Sequence, residues 1–203
     1  MAQRGALIDP ALALGEVAAG TPRGAPQARA DGDEPREYGT THFAVVDANR
    51  EYLREWLPWL DGTNNVDDET SFIVSTLEEY GRGDGVLYGI RLEGNLIGTI
   101  SLNWIDWGNR GCGVGYWLAK DQTGNGYATK SCIRLMEHCF DDLGLHRFVL
   151  EAATDNFPSR TIAENLGMRL EGITKDREWL YGHYVDGALY AITAPEWRAR
   201  VQD

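Results

Sequence analysis

The chain has 203 residues, 43% of them apolar, enough for one domain with a full core. Thirty-one acidic against nineteen basic side chains give a formal charge of -12, which repels a polyanion at long range and argues against nucleic acid as a partner. The same excess suits a cationic substrate such as an amine, or simply keeps the protein in solution.

Residues 1 to 38 are rich in Ala, Gly, Pro, Arg and Asp without sustained period-2 or period-3.6 patterning. They read as a flexible or irregular N-terminal tail ahead of a single domain over 39–203. Within this tail Asp9, Pro10, Gly15 and Glu16 interrupt "GALIDPALALGEVAAG", so no membrane span is expected. From Thr41 the pattern becomes helical: Phe43, Val46, Tyr52, Leu53, Trp56 and Leu57 recur at three-and-four spacing until Pro58 stops it. "WLPWLDGT" then reads as a rigid aromatic corner that packs a helix end or lines a pocket. "DDETSFIVSTLEEYGRGDG" predicts a second amphipathic helix, acidic where the helix dipole favours negative charge and ended by glycine.

After it the period changes to two. "GVLYGIRLEGNLIGTISLNWID" reads as a hairpin turning at "LEGN", and "GCGVGYWLAKD" as a third strand. In "GYATKSCIRLMEHCFDDLG" the stripe Ala128, Cys132, Leu135, Met136, Cys139, Phe140 and Leu143 predicts a helix ending at Gly144. "HRFVLEAAT" reads as a strand, "FPSRTIAENLG" as a short helix with Pro158 in its first turn, and "MRLEGITKDREWLYGHYVDGALYAIT" as two strands separated by a loop. The order predicts a mixed α/β (α+β) domain with a mostly antiparallel central sheet flanked by helices.

Cys112, Cys132 and Cys139 show no paired spacing, so neither a disulfide framework nor a zinc knuckle is expected, and a reducing cytoplasm fits. Cys132 and Cys139 share a helical face as small core hydrophobes. His42, His138, His146 and His183 lack metal spacing, and no metal is expected. Trp104, Trp107, Tyr116 and Trp117 are assigned mostly to the core, with alternate rings able to wall a tunnel.

The stretch "TGNGYATKS", Thr123 to Ser131, allows three readings. A phosphate loop, G-x-x-x-x-G-K-[ST], fits Gly124 to Ser131 except that Thr129 replaces its second glycine, and only Asp155 is on hand for magnesium. A dinucleotide fingerprint fails at the same residue. The third reading keeps the physics alone: a strand end, a glycine turn and a helix start expose free backbone N–H groups at a positive dipole end, where a pyrophosphate could bind. Close approach is possible at Gly124 and Gly126, Ala128 lets the helix meet the sheet, and Lys120, Lys130 and Arg134 could add charge.

With Thr123, Gly126 and Ala128 at the fixed positions of a Q/R-x-x-G-x-G/A signature, the sequence resembles the GCN5-related N-acetyltransferase (GNAT) superfamily. "LREWLPWLDG", "GVGYWLAKDQTGNGYAT", "TDNFPSRTIAENLGMRLEG" and "DREWLYGHYVDGALYAI" together resemble the Rim-type ribosomal-protein N-terminal acetyltransferases (RimJ/RimL-like) from about residue 42 to 194. Thr123 departs from the family's Gln or Arg. The family also begins with a strand before its first helix, and nothing in "PQARADGDEPREYG" alternates like one, so that edge is expected to be missing, disordered or remade by the tail.

The resemblance implies an acetyl-CoA-dependent N-acetyltransferase that transfers directly to an amine in a ternary complex, the acceptor being a protein N-terminal α-amino group. It places the coenzyme against Leu118, Thr123, Gly124, Asn125, Gly126, Tyr127, Ala128, Thr129, Asn156 and Ser159. Glu178 takes the general-base position, Ser159 the position that protonates the leaving thiolate, Asn156 that which contacts the coenzyme's amide arm, and a backbone N–H near Leu118 that which polarises the carbonyl. On local grounds Ser159 and Asn156 could equally bond to backbone at a helix start, and Glu178 could be a surface acid beside Arg177. Family members often form homodimers, which composition here does not require. The rival readings are a small-amine acetyltransferase acting on a polyamine or aminoglycoside, a phosphate-loop nucleotide binder, and a non-catalytic CoA-binding protein.

Overall fold

The computed structural model describes residues 7–9 and 35–200. Its chain order is β1 (Leu7–Asp9), α1 (Pro35–Ala48), α2 (Arg50–Arg54), α3 (Val66–Arg82), β2 (Val86–Leu92), β3 (Asn95–Asp106) and β4 (Gly111–Leu118). There follow α4 (Tyr127–Glu137), β5 (Arg147–Ala153), α5 (Phe157–Asn165), β6 (Arg169–Leu180), β7 (His183–Thr193) and α6 (Ala194–Arg200). Seven strands make one sheet in the order β1-β2-β3-β4-β5-β7-β6. Every neighbouring pair is antiparallel except β4 and β5, which α4 connects as a parallel crossover. The mixed, mostly antiparallel sheet expected from the sequence is thus the one found.

Two expectations about the N-terminal part are revised. Residues 7–9, inside the segment read as tail, add an edge strand to β2, with Leu7 opposite Arg91 and Asp9 opposite Gly89. Three residues are too few for alternation to register against background. Helix α1 begins at Pro35, ahead of the boundary at 39, because proline's fixed φ and missing N–H suit a first turn even where apolar spacing is absent. The rest of the segment up to residue 34 lies outside the described residues.

The helix read from Thr41 to Leu57 is two helices broken at Asn49. Its Nδ2 donates to the Val45 carbonyl and its Oδ1 accepts from Lys120 N–H at 2.9 Å, a link to the far end of β4 that an unbroken helix would forgo. Helix α1 buries Tyr38, His42 and Val46 at four-residue steps, with Gly39 between them. A Cβ at Gly39 would meet Thr70 Oγ1 at 2.5 Å and Thr70 backbone at 3.0 Å, so only glycine lets α1 lie this close to α3.

The sheet is covered on both faces. Leu87 and Leu96 pack with Tyr38 and Ile73 of α1 and α3. Their strand neighbours Tyr88, Ile90 and Ile100 join Cys132, Leu135 and Met136 of α4 and Trp197 of α6 in the larger core. The three cysteines are fully buried free thiols. Truncating a side chain such as Leu135 to Ala would cost about 2–5 kcal/mol. The α4 stripe continues past Glu137, but residues His138–Asp142 widen into a π turn whose Phe140 carbonyl accepts from Arg198 at 3.2 Å.

Trp104 and Trp107 are surface residues, 44% and 48% exposed, contrary to their core assignment. A bulge between Leu102 and Trp104 resets the alternation of β3. Trp104 then lies over Gly113, and Trp107 Nε1 donates to the Gly83 carbonyl at 2.7 Å. Trp117 is buried as expected.

Candidate active site

Strand β4 pairs with β5 only from Gly111–Val114 against Arg147–Leu150, although both strands run on, to Leu118 and Ala153. Beyond Val114 they part, and a cleft of about 1520 Å³ opens between them. Gly115 to Leu118 line one side, Glu151 to Ala153 the other, and α4, α5 and the corner at Trp56 to Trp59 close the ends.

The register of β4 on β3 decides what the parted edge offers. Ala119 N–H donates to Ile97 C=O at 2.8 Å, so in the alternating antiparallel ladder Leu118, opposite Gly98, directs its own N–H away from β3. It faces the side that β5 has left. A backbone donor therefore stands free of the sheet at the residue expected to polarise a carbonyl.

After β4 the chain turns through Thr123 to Gly126 into α4. Gly124 and Gly126 have φ of 76° and 77°, left-handed backbone that glycine adopts without strain. A Cβ at either would meet nothing within 4 Å, so the turn opens onto free space. Among the described residues no side chain caps α4 at Gly126, and its first turn carries no acid. The N–H groups of that turn have no intrahelical partner and sit at the positive end of the helix dipole. A cradle of amides over open space suits the pyrophosphate of a coenzyme. The thioester such a coenzyme brings supplies an activated acetyl group.

Thr123, Gly124, Gly126, Tyr127, Ala128 and Thr129 all line the cleft. Asn125 does not: its Nδ2 donates to the Gln122 and Thr123 carbonyls at 3.3 and 3.2 Å, bracing the turn from outside. Thr123 Oγ1 donates to the Lys120 carbonyl at 2.8 Å. Lys120, Lys130 and Arg134 stay off the lining, and Arg134 pairs with Glu137. In a phosphate loop Ser131 would face a metal ion, whereas here it is 1% exposed inside α4.

At the start of α5 Asn156 Oδ1 accepts from Ser159 N–H at 3.2 Å, with Pro158 in the first turn. Its side chain is thus a helix cap and a cleft residue together. Ser159 Oγ lies 3.3 Å from the Tyr116 hydroxyl. Glu178 comes from β6 at a register shift between Thr174 and Glu178, which turns it inward while its neighbours Arg177 and Trp179 stay exposed. It is half-buried, and burial is the main cause that raises its pKa above the usual carboxylate range, with Arg177 opposing and Glu151 adding to the rise. Arg177 gives its ion pair to Glu151 instead, Nε to Oε2 at 2.8 Å.

Several lining residues were not singled out from the sequence. Glu151 is the one acid in the apolar run "HRFVLEAAT", and that mismatch is a signal that could have marked it. His42 and Glu69 are both 1% exposed, pair at 2.5 Å from Nδ1 to Oε1, and set the imidazole edge-on to Trp117 at 5.3 Å. They stand 27 residues apart in sequence, and no local pattern joins them. The hairpin tip also reaches the corner: Tyr181 hydroxyl donates to Leu57 C=O at 2.6 Å and accepts from Leu60 N–H at 3.1 Å.

An acetyltransferase (GNAT) domain family matches residues 34–169. The chain belongs to the GNAT acetyltransferase family. The protein is therefore an N-acetyltransferase. The ribosomal-protein-serine acetyltransferase of Escherichia coli is 30% identical over 149 residues, covering 73% of this chain and 83% of that protein. YdaF of Bacillus subtilis is 31% identical over 154 residues, or 75% and 84% of the two chains. Among solved structures, the RimL ribosomal L7/L12 alpha-N-protein acetyltransferase in complex with coenzyme A superposes with a TM-score of 0.76 at 26% identity, over 78% of this chain and 89% of that one. RimJ of Mycobacterium smegmatis in complex with CoA-disulfide gives a TM-score of 0.76 at 28% identity over 79% of each chain. The resemblance drawn from the motifs is therefore the family found.

Proposed function

We propose that this GNAT enzyme transfers the acetyl group of acetyl-CoA to the α-amino group at the N-terminus of a protein, by direct attack in a ternary complex. The observation that carries the reading is that one cleft, at the β4–β5 parting, gathers the amide cradle of α4, the free edge of Leu118, Ser159 and Glu178. The likeness to a ribosomal-protein-serine acetyltransferase and to RimL supports a protein acceptor. So does the shape, since the corner at Trp56 and Trp59 gives the cleft an aromatic wall on which an extended chain end can lie.

In this reading the coenzyme's phosphates rest on the amides from Gly124 to Thr129, while Asn156 holds its amide arm. An incoming ammonium must lose a proton before it can attack. Glu178, raised in pKa by burial, takes that proton directly or through water near neutral pH, where an exposed carboxylate would be a weaker base. Leu118 N–H donates to the carbonyl oxygen as negative charge grows on it. Ser159 O–H protonates the departing sulfur, and the proton that the attacking nitrogen sheds as the intermediate collapses returns through cleft water to Ser159, so amine plus thioester become amide plus thiol with the enzyme unchanged. Three buried free thiols suit a reducing cytoplasm, which completes the reading.

The test is acetyl-CoA with three acceptors in parallel: a lysine-free peptide with a free N-terminus, the same peptide N-terminally blocked and carrying a lysine, and spermidine. Mass spectrometry should find one acetyl group on the first alone. Acetylation of spermidine alone would replace this reading with a small-amine transferase, and magnesium-ATP raising the melting point where acetyl-CoA does not would replace it with a nucleotide binder.

A further inference from the structure

Tyr116 is a cleft residue for which the mechanism above has no use. It lies on β4 opposite Ile100, two residues past the last rung shared with β5, so its side chain stands where the strands part. Its hydroxyl meets Ser159 Oγ of α5 at 3.3 Å, joining the strand that offers the backbone donor to the helix that offers the proton. A phenol is the more acidic of the two hydroxyls, so Tyr116 donates and Ser159 accepts.

We propose that Tyr116 is a positioning residue for the acetyl transfer: by filling the acceptor side of Ser159 Oγ, it leaves the serine proton free to point at the leaving sulfur. The inference rests on the proposed role of Ser159. Without this bond the serine can turn its hydrogen to a neighbouring backbone carbonyl instead, a bond that serine side chains within helices make. The 3.3 Å separation is long for two hydroxyls and is of the kind that shortens once substrates fill a site. Tyr116 is not itself the ultimate acid. Burial, with Cys132 adding to it, raises its pKa well above an ordinary phenol, so a tyrosinate left here would be costly. Ser159 gives its own proton to sulfur and regains, through cleft water, the one shed by the attacking nitrogen, while Tyr116 stays neutral throughout.

Tyr116→Phe keeps the ring and removes one oxygen. With acetyl-CoA and the free N-terminal peptide, it should lower kcat about tenfold, the worth of one oriented hydrogen bond, with KM for acetyl-CoA and the melting point unchanged. Ser159→Ala should lower kcat about 100-fold. The double variant should be no slower than Ser159→Ala alone, because the tyrosine acts only through the serine. If Tyr116→Phe matches wild type while Ser159→Ala is slow, or if the two losses multiply, the inference is overturned and the serine's role stands. If Ser159→Ala is as fast as wild type, the role of Ser159 and this inference fall together.

Discussion

Helices α3 and α4 begin in opposite ways. At α3 Asn65 Oδ1 accepts from Asp67 and Asp68 N–H at 2.8 and 3.0 Å, and Asp67, Asp68 and Glu69 fill the first turn. Its amides are satisfied and its dipole is neutralised by the chain itself. At α4 a glycine holds the cap position, no side chain among the described residues reaches back, and the first turn is Tyr127, Ala128, Thr129 and Lys130. A helix end that the protein satisfies alone is structural, whereas the one left bare in the cleft is, in the proposed function, the end that takes an outside anion. Helix α5 stands between them, since its Asn156 caps the helix and faces the cleft.

Giving α4 the start that α3 has should have the largest effect. Gly126→Asp would place a carboxylate over the amides; no atom lies within 4 Å of the new Cβ, so the fold bears only the strain of φ 77°. Calorimetry should find acetyl-CoA bound about 100-fold more weakly, or roughly 2.7 kcal/mol. Next comes the intermediate helix: Asn156→Ala should weaken acetyl-CoA binding about tenfold and also cost about 1 kcal/mol in urea unfolding. The reverse change at the satisfied end, Asn65→Ala, should cost about 1 kcal/mol of stability and leave acetyl-CoA binding as it was.

Carboxylates divide in the same manner. Glu171 is held below the usual range chiefly by its hydrogen bond from Arg147, and it belongs to a surface network with Arg169. Glu178 is raised chiefly by burial, and in the proposed function it is the base that meets the substrate. A base must be ionised to work, so kcat/KM should climb with pH through the raised pKa of Glu178 and fall away below it. Glu151→Gln removes a negative neighbour, makes ionisation of Glu178 easier, and should move that limb to lower pH by a fraction of a unit.

Most of the sheet was legible because its strands alternate and its turns carry the right residues: Glu93 and Gly94 at φ 53° and 87° make the tight turn read from "LEGN". The α4 and α5 boundaries were likewise written in Gly126, Pro158 and Gly167. What local pattern could not carry were contacts set by distant chain. Asn49 breaks a helix to reach Lys120, a bulge turns Trp104 outward, and a three-residue edge strand has no period to detect. In the site, Gly126, Asn156, Ser159 and Glu178 could be named by resemblance, but burial of Glu178 and the meeting of Tyr116 with Ser159 depend on how β6 and α5 pack, which no spacing encodes.

The bare end of α4 is the centre of the account, and amide-resolved hydrogen exchange with and without acetyl-CoA tests it most directly. The amides from Gly124 to Thr129 should slow on adding acetyl-CoA, while those from Val66 to Glu69 at the self-capped end should keep their rates. Unchanged exchange at Gly124 to Thr129 under saturating acetyl-CoA, with the coenzyme shown by calorimetry to be bound, would place it elsewhere and contradict the cradle.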